Sequence, residues 1–301
     1  MTPVLAHAGD LHPGEWYWFS FDPIVAPMLL LMSLLYLRAR RVLGRRGRTI
    51  PVPQQVAWWM GITLIAIGTM GPLDSIGGRT LVSAHMAQHL LIADLAAPLL
   101  LMGTRAPVGM FLWPRPVASR IGRSRIIRGT WSFLTHPPVA IAVWLVVLYF
   151  WHVPAMYEAA LENRWVHDIQ HFSFMASGVI SWWPMLDPTH RTVSAPMWKP
   201  FYLGIMRGFG TSILGAYLIF SPRQVYTFYG DAPLALGVDP LLDQQVGGAM
   251  MMAVDLTMVI TGFVYFMLRA AAIDTGELPQ GRAAEHAAAR SIRRERDPIT
   301  R

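Results

Sequence analysis

Residues 80–102 read TLVSAHMAQHLLIADLAAPLLLM. At ~1.5 Å per residue this apolar run, broken by the single acid Asp94, is long enough as a helix to cross a hydrocarbon layer of about 30 Å. Within it His85 and His89 stand four residues apart, so both rings lie on one helix face, one turn from each other. Placing two imidazoles in so apolar a setting is costly and implies a purpose. A second pair at the same spacing, His167 and His171 in VHDIQHFSF, lies in another apolar block. Metal ligation, haem ligation and proton handling are the purposes such pairs serve.

Working outward, six further apolar blocks occupy roughly 23–42, 56–72, 137–154, 164–187, 200–220 and 241–268. With 53% hydrophobic and only 14% charged residues, the chain reads as an all-α polytopic membrane protein, a seven-transmembrane helix bundle over 23–268. Residues 1–22 form an external amino-terminal segment carrying His7, His12, Trp16 and Trp18, and 269–301 a charged, alanine-rich cytoplasmic tail. Arginine placement sets the orientation. Arg38, Arg40, Arg41, Arg45, Arg46 and Arg48 follow the first block, and Arg105, Arg115, Arg120, Arg123, Arg125 and Arg128 follow the third, where a short surface helix is expected near 116–129. The opposite side holds Arg79, Arg164 and Arg223. By the positive-inside rule the amino terminus is outside and the carboxyl terminus cytoplasmic.

The net charge of +7 is accounted for by this topology and by anionic lipid headgroups, so nucleic-acid binding is not expected. Ala-His-Ala at 6–8 resembles a signal cleavage site, yet no basic region or apolar core precedes it, and the first block reads as an anchor. The sequence has no cysteine, which excludes thiolate metal sites and dithiol redox chemistry within it.

Topology converts positions into depths. His85 and His89 fall ~9 and ~15 Å below Arg79, and His167 and His171 ~5 and ~11 Å below Arg164, all in the outer leaflet. The fourth block runs outward and ends at WHVPAMYEAAL, bringing His152 to the same layer. The last block begins DQQVGGAMMMAVDL and adds Asp243, Gln244, Gln245 and a methionine run, of which Met251 is the candidate thioether ligand; its glycine pair allows close helix contact. Imidazole and thioether without thiolate suit copper, particularly Cu(I), better than zinc or iron–sulfur. Haem between facing transmembrane histidines is the competitor. Asp94, Asp255 and Arg207 share the inner half of the bilayer, where an ion pair offsets the cost of isolated charges. Pro72 precedes His85, and Pro154 precedes His167, by the same interval, which hints at a repeated hairpin.

The order of these motifs, namely SAHMAQHLLIADLAAPLLLMG, then WHVPAMYEAALENRWVHDIQHFSFMASGVISWWP, then DQQVGGAMMM, resembles the CtaG-type (caa3-type) cytochrome c oxidase assembly factors over most of residues 20–268. This family is distinct from the single-span, cysteine-bearing copper chaperone that shares the CtaG name in some bacteria. The resemblance implies a non-enzymatic, multi-pass protein of the bacterial plasma membrane that helps mature a haem–copper oxidase by supplying copper. Its implied partners are oxidase subunits, a periplasmic or external copper donor and membrane lipid. The residues expected to hold copper, stably or in passing, are His85, His89, His152, His167, His171 and Met251. Haem handling by the same histidines is one alternative, and a transporter or proton pathway through the Asp94, Arg207 and Asp255 layer is the other.

Overall fold

A computed structural model describes residues 22–186, 188 and 198–275. The expected external segment with its histidines and tryptophans, His190, Arg191 and the tail beyond residue 275 lie outside these residues. Among the described residues the secondary structure is helical, with no strand. Among the described residues, each of the seven apolar blocks falls largely in one helix or in a run of closely joined helical segments.

α1 (Val25–Gly44) and α2 (Val52–Met70) lead into a short α3 (Pro72–Gly77). The decisive stretch follows as α4 (Val82–His89), a π-helical turn over Leu90–Ala96 and α5 (Ala97–Gly103). After α6 (Val108–Leu112), the arginine-rich loop folds into α7 (Arg115–Arg123) and α8 (Arg125–Leu134), neither of which buries a residue. One surface helix was the expectation; two form because Ser124 leaves the helical conformation and caps α8, accepting from the Ile127 amide at 3.2 Å. α9 (Pro137–His152), a short α10 (Pro154–Glu162) and α11 (Arg164–Leu186) come next. α12 (Trp198–Arg207), a second π-helical turn over Gly208–Ser212 and α13 (Ile213–Phe220) precede two 3₁₀ turns, Thr227–Tyr229 and Ala232–Leu236. α14 (Pro240–Asp274) ends the described chain.

Three of these helices are long and apolar enough to cross a membrane: Val82–Gly103, Trp198–Phe220 and Pro240–Ala272. A fourth qualifies if α8 and α9, bent by 74° across the break between Leu134 and Pro137, count as one span. α1 and α11 carry arginine or acid inside their bounds, and α9 alone has 16 residues. Outward-facing apolar side chains such as Phe220 (81% exposed), Phe201 (72%) and Leu268 (67%) fit a membrane protein, in which lipid rather than water meets this face.

The main core joins α4, α5, α9, α11, α12, α13 and α14 around Trp144, Phe174, Met206 and Leu218. A smaller one seats α1, α2 and α6 against the π turn and α5, with Tyr36 stacked on Trp58 at 4.6 Å. Both prolines of the paired interval open a short helix, α3 or α10, that leads into a histidine helix.

Candidate metal centre

α4 owes its starting point to a residue far away in sequence. Asp243 of α14 accepts from the Val82 amide (2.6 Å), the Ser83 amide (3.3 Å) and the Ser83 hydroxyl, so its carboxylate supplies the cap that Leu81 cannot. Its neighbour Gln244 accepts from the Val225 amide at 2.7 Å and donates to the Leu218 carbonyl at 3.1 Å. The polar opening of the DQQ motif is therefore scaffold: Asp243 fixes the helix that carries the first histidine pair, and Gln244 ties α14 to the loop after α13.

From that start His85 and His89 project on one face, ring centroids 4.4 Å apart. α11 presents His167 and His171 in the same way, 4.1 Å apart. The two pairs meet. His85 lies 5.5 Å from His167 and 6.3 Å from His171, while His89 lies 5.4 Å from His171 and 6.1 Å from His152 at the end of α9. One ligand nitrogen from each of His85, His167 and His171 falls within 4.8 Å of the others. His152 donates through Nδ1–H to the Leu148 carbonyl at 2.7 Å, which leaves Nε2 buried with no hydrogen-bond partner. His171 Nε2 and both ring nitrogens of His89 are likewise buried and unpartnered. Unsatisfied imidazole nitrogens at this density are expensive in an apolar interior. The donor set fits a borderline or soft cation that would accept several of them at once.

The expected ligands are not one ring around one point. His85, His167 and His171 form a trio. Met251 instead lines a narrow internal space of about 10 Å³ with Met86, His89, Asp94 and His152, close to the room one water needs. His89 joins the two parts. Met250 and Met252 are only partly buried, because successive residues of α14 point in different directions.

Several contributors were not assigned to the site from the sequence, although Tyr157 and Glu158 stand in the WHVPAMYEAAL motif. Phe174 packs on His89 at 4.4 Å. Tyr157 lies 4.9 Å from His85, stacks on Tyr226 at 3.8 Å and shares a 3.1 Å hydrogen bond with the Tyr229 hydroxyl, which donates to the Gly77 carbonyl at 2.7 Å. Tyr226 donates to the His152 carbonyl at 3.2 Å. Burial pushes all three phenols above the ordinary tyrosine range, keeping them as neutral donors. Glu158 accepts from the Thr227 and Phe228 amides at 2.8 and 3.1 Å. The WHVPAMYE stretch thus clamps the 221–240 loop over the histidines.

Deeper, Arg207 is fully buried and contacts Asp94 directly and Asp255 at 3.3 Å. Its guanidinium lies 5.2 Å from the Trp144 ring and 4.9 Å from that of Trp182, both favourable cation–π placements. All three charges expected in the inner half come together in one group. Asp94 sits within the first π turn and Arg207 immediately precedes the second.

A wider cavity of about 940 Å³ opens on the other side of the trio, between α1, α2, α3, α10 and α11, with His167 and His171 in its wall.

With this geometry established, comparison with known proteins defines the class. The family model described as cytochrome c oxidase caa3 assembly factor (Caa3_CtaG) matches residues 34–272, and the chain belongs to that family. It is also 23% identical over 238 residues to uncharacterised proteins of Mycobacterium bovis and Mycobacterium tuberculosis, covering 76% of this chain and 36% of each relative. A Mycobacterium leprae protein is 22% identical over 185 residues, with 58% and 27% covered. The chain thus spans about a third of the length of the curated relatives it matches. No solved structure matches it.

Proposed function

We propose that this protein is a non-enzymatic assembly factor of the bacterial plasma membrane that binds copper at His85, His89, His152, His167, His171 and Met251 and assists its delivery to a haem–copper oxidase. Seven spans, with the amino terminus outside and the tail cytoplasmic, place that cluster in the outer leaflet, within reach of a periplasmic or external copper donor. Oxidase subunits are the acceptors. The observation that carries the reading is the His85, His167 and His171 trio, its ligand nitrogens within 4.8 Å of one another. Three nitrogens each ~2.0 Å from a metal stand about 3.5 Å apart, so a rotation of roughly 1 Å closes the trio. His89 and His152 beyond it offer more imidazoles than Cu(I) needs, which suits handover by ligand exchange rather than storage in a saturated cage.

A haem between His89 and His152 is disfavoured by shape, because the space beside them, about 10 Å³, is far too small for a porphyrin. The transporter reading is disfavoured because Arg207 is held by two carboxylates and two indoles, which suits a fixed structural ion group.

Copper titration, metal analysis and optical spectra of the purified protein, wild type beside His85→Ala/His171→Ala, test the proposal. The wild type is expected to bind Cu(I) without a Soret band, and the double variant to lose at least tenfold in affinity. Equal copper content in the two proteins would remove the site.

A further inference from the structure

The cavity of about 940 Å³ is far larger than a metal ion needs, and neither the histidine trio nor the caa3 assembly family explains it. Its charged lining is Asp22, Asp74, Glu162 and Asp168 against Arg79 and Arg164. The excess is therefore negative, with Arg164 already shared between Asp22 at 3.6 Å and Asp168 at 3.9 Å. Low-dielectric walls around such a charge set focus the field and concentrate cations. Acid clusters alone are common on protein surfaces, but this one leads to a receiving atom. His171 lines the same cavity, is only 9% exposed, and keeps Nε2 buried without a hydrogen-bond partner.

A second internal space touching the histidines, beside His89, His152 and Met251, has about 10 Å³ and does not admit a hydrated ion. Of the five clustered histidines, only His167 and His171 line the large cavity. Of these two spaces among the described residues, the large one is the one with room for a hydrated ion.

We propose, on the footing of the copper reading above, that this cavity is the vestibule through which a monovalent soft cation, Cu(I), reaches the protein, and that it enters the cluster at His171. The ring separations then set an order of exchange. From His171 the ion passes to His85 at 6.3 Å or His89 at 5.4 Å, and from His89 to His152 at 6.1 Å, beside Met251. Each step replaces one imidazole nitrogen by another on the same ion, with no change of oxidation state. The acids act before ligation, by raising the local cation concentration, so they govern rate and not final occupancy.

The test is the rate of loading of the full chain in detergent with Cu(I) supplied anaerobically as its cationic acetonitrile complex. Stopped-flow tryptophan fluorescence gives the rate and metal analysis the final content. Glu162→Gln/Asp168→Asn is expected to load roughly tenfold more slowly at low salt, with the gap closing as sodium nitrate is raised, and to reach the same copper content. Glu162→Asp/Asp168→Glu, which keeps both charges, should load at the wild-type rate. Ala232→Trp, which narrows the cavity, should slow loading at every salt concentration. Wild-type rates in both the neutral pair and Ala232→Trp overturn the vestibule while leaving the copper site standing, as does slow loading by the charge-conserving pair. A wild-type protein that takes up no copper overturns the copper reading itself and the vestibule with it.

Discussion

At the scale of single residues, the buried ion group shows most directly how much one side chain can hold. Arg207 is fully buried between Asp94 and Asp255, so Arg207→Met strands two carboxylates in an apolar interior. We expect a loss of about 3–5 kcal/mol, seen as a lower melting temperature and reduced protein in the membrane. Arg207→Met combined with Asp94→Asn and Asp255→Asn should recover most of that loss, because amides carry no charge to strand. Normal levels for the single variant would mean the group does not hold the fold. The three charges were legible in the sequence, since each stands out in an apolar run and isolation is costly. Trp144 and Trp182, which face the guanidinium, were not, because tryptophans are frequent in this chain and nothing in their spacing points to Arg207. The histidine pairs were legible for the same reason as the charges. Phe174 and Met86 looked like ordinary core residues, and Tyr157 stood out only as a member of the WHVPAMYEAAL motif.

At the scale of elements, the site depends on how closely α11 approaches the π turn over Leu90–Ala96. Gly178 sets that approach: a β-carbon there would stand 2.7 Å from the Ala93 carbonyl oxygen, which is backbone and cannot swing aside. Gly178→Leu is therefore expected to push α11 away, separate His167 and His171 from His85, and lower both thermal stability and copper affinity. Gly178→Ala should do the same to a smaller degree. Unchanged copper binding in Gly178→Leu would show that the trio does not rely on this contact. The GG pair of α14 divides its work similarly. Gly247 faces Met86 and Ser83 of α4, whereas Gly248 faces the Gly215 carbonyl of α13. The sequence announced a close contact at this pair; that the two glycines serve two different neighbours follows only from the packing of α14 between α4 and α13.

At the scale of the whole molecule, the proposed orientation can be checked on a chain that contains no cysteine. A single cysteine at Ile126 in α8 should react with a membrane-impermeant maleimide only from the cytoplasmic side, and one at Leu234 in the 221–240 loop only from outside. Both positions are well exposed, at 81% and 54%, so labelling reports sidedness and not burial. Labelling of both from one side would reject the proposed topology. By itself the sequence determined the helical class, the apolar blocks, the two histidine pairs and their i,i+4 faces, and the charges that had to find partners. Those are consequences of period, length and desolvation, which act within a short stretch of chain. Only the tertiary structure decided that the pairs on α4 and α11 meet as a trio and that Met251 lies on the His89 and His152 side of the cluster. It also decided that Asp243 caps α4 and that an acidic cavity opens on His171. These depend on which helix faces are brought together across long loops, and no local pattern encodes that choice.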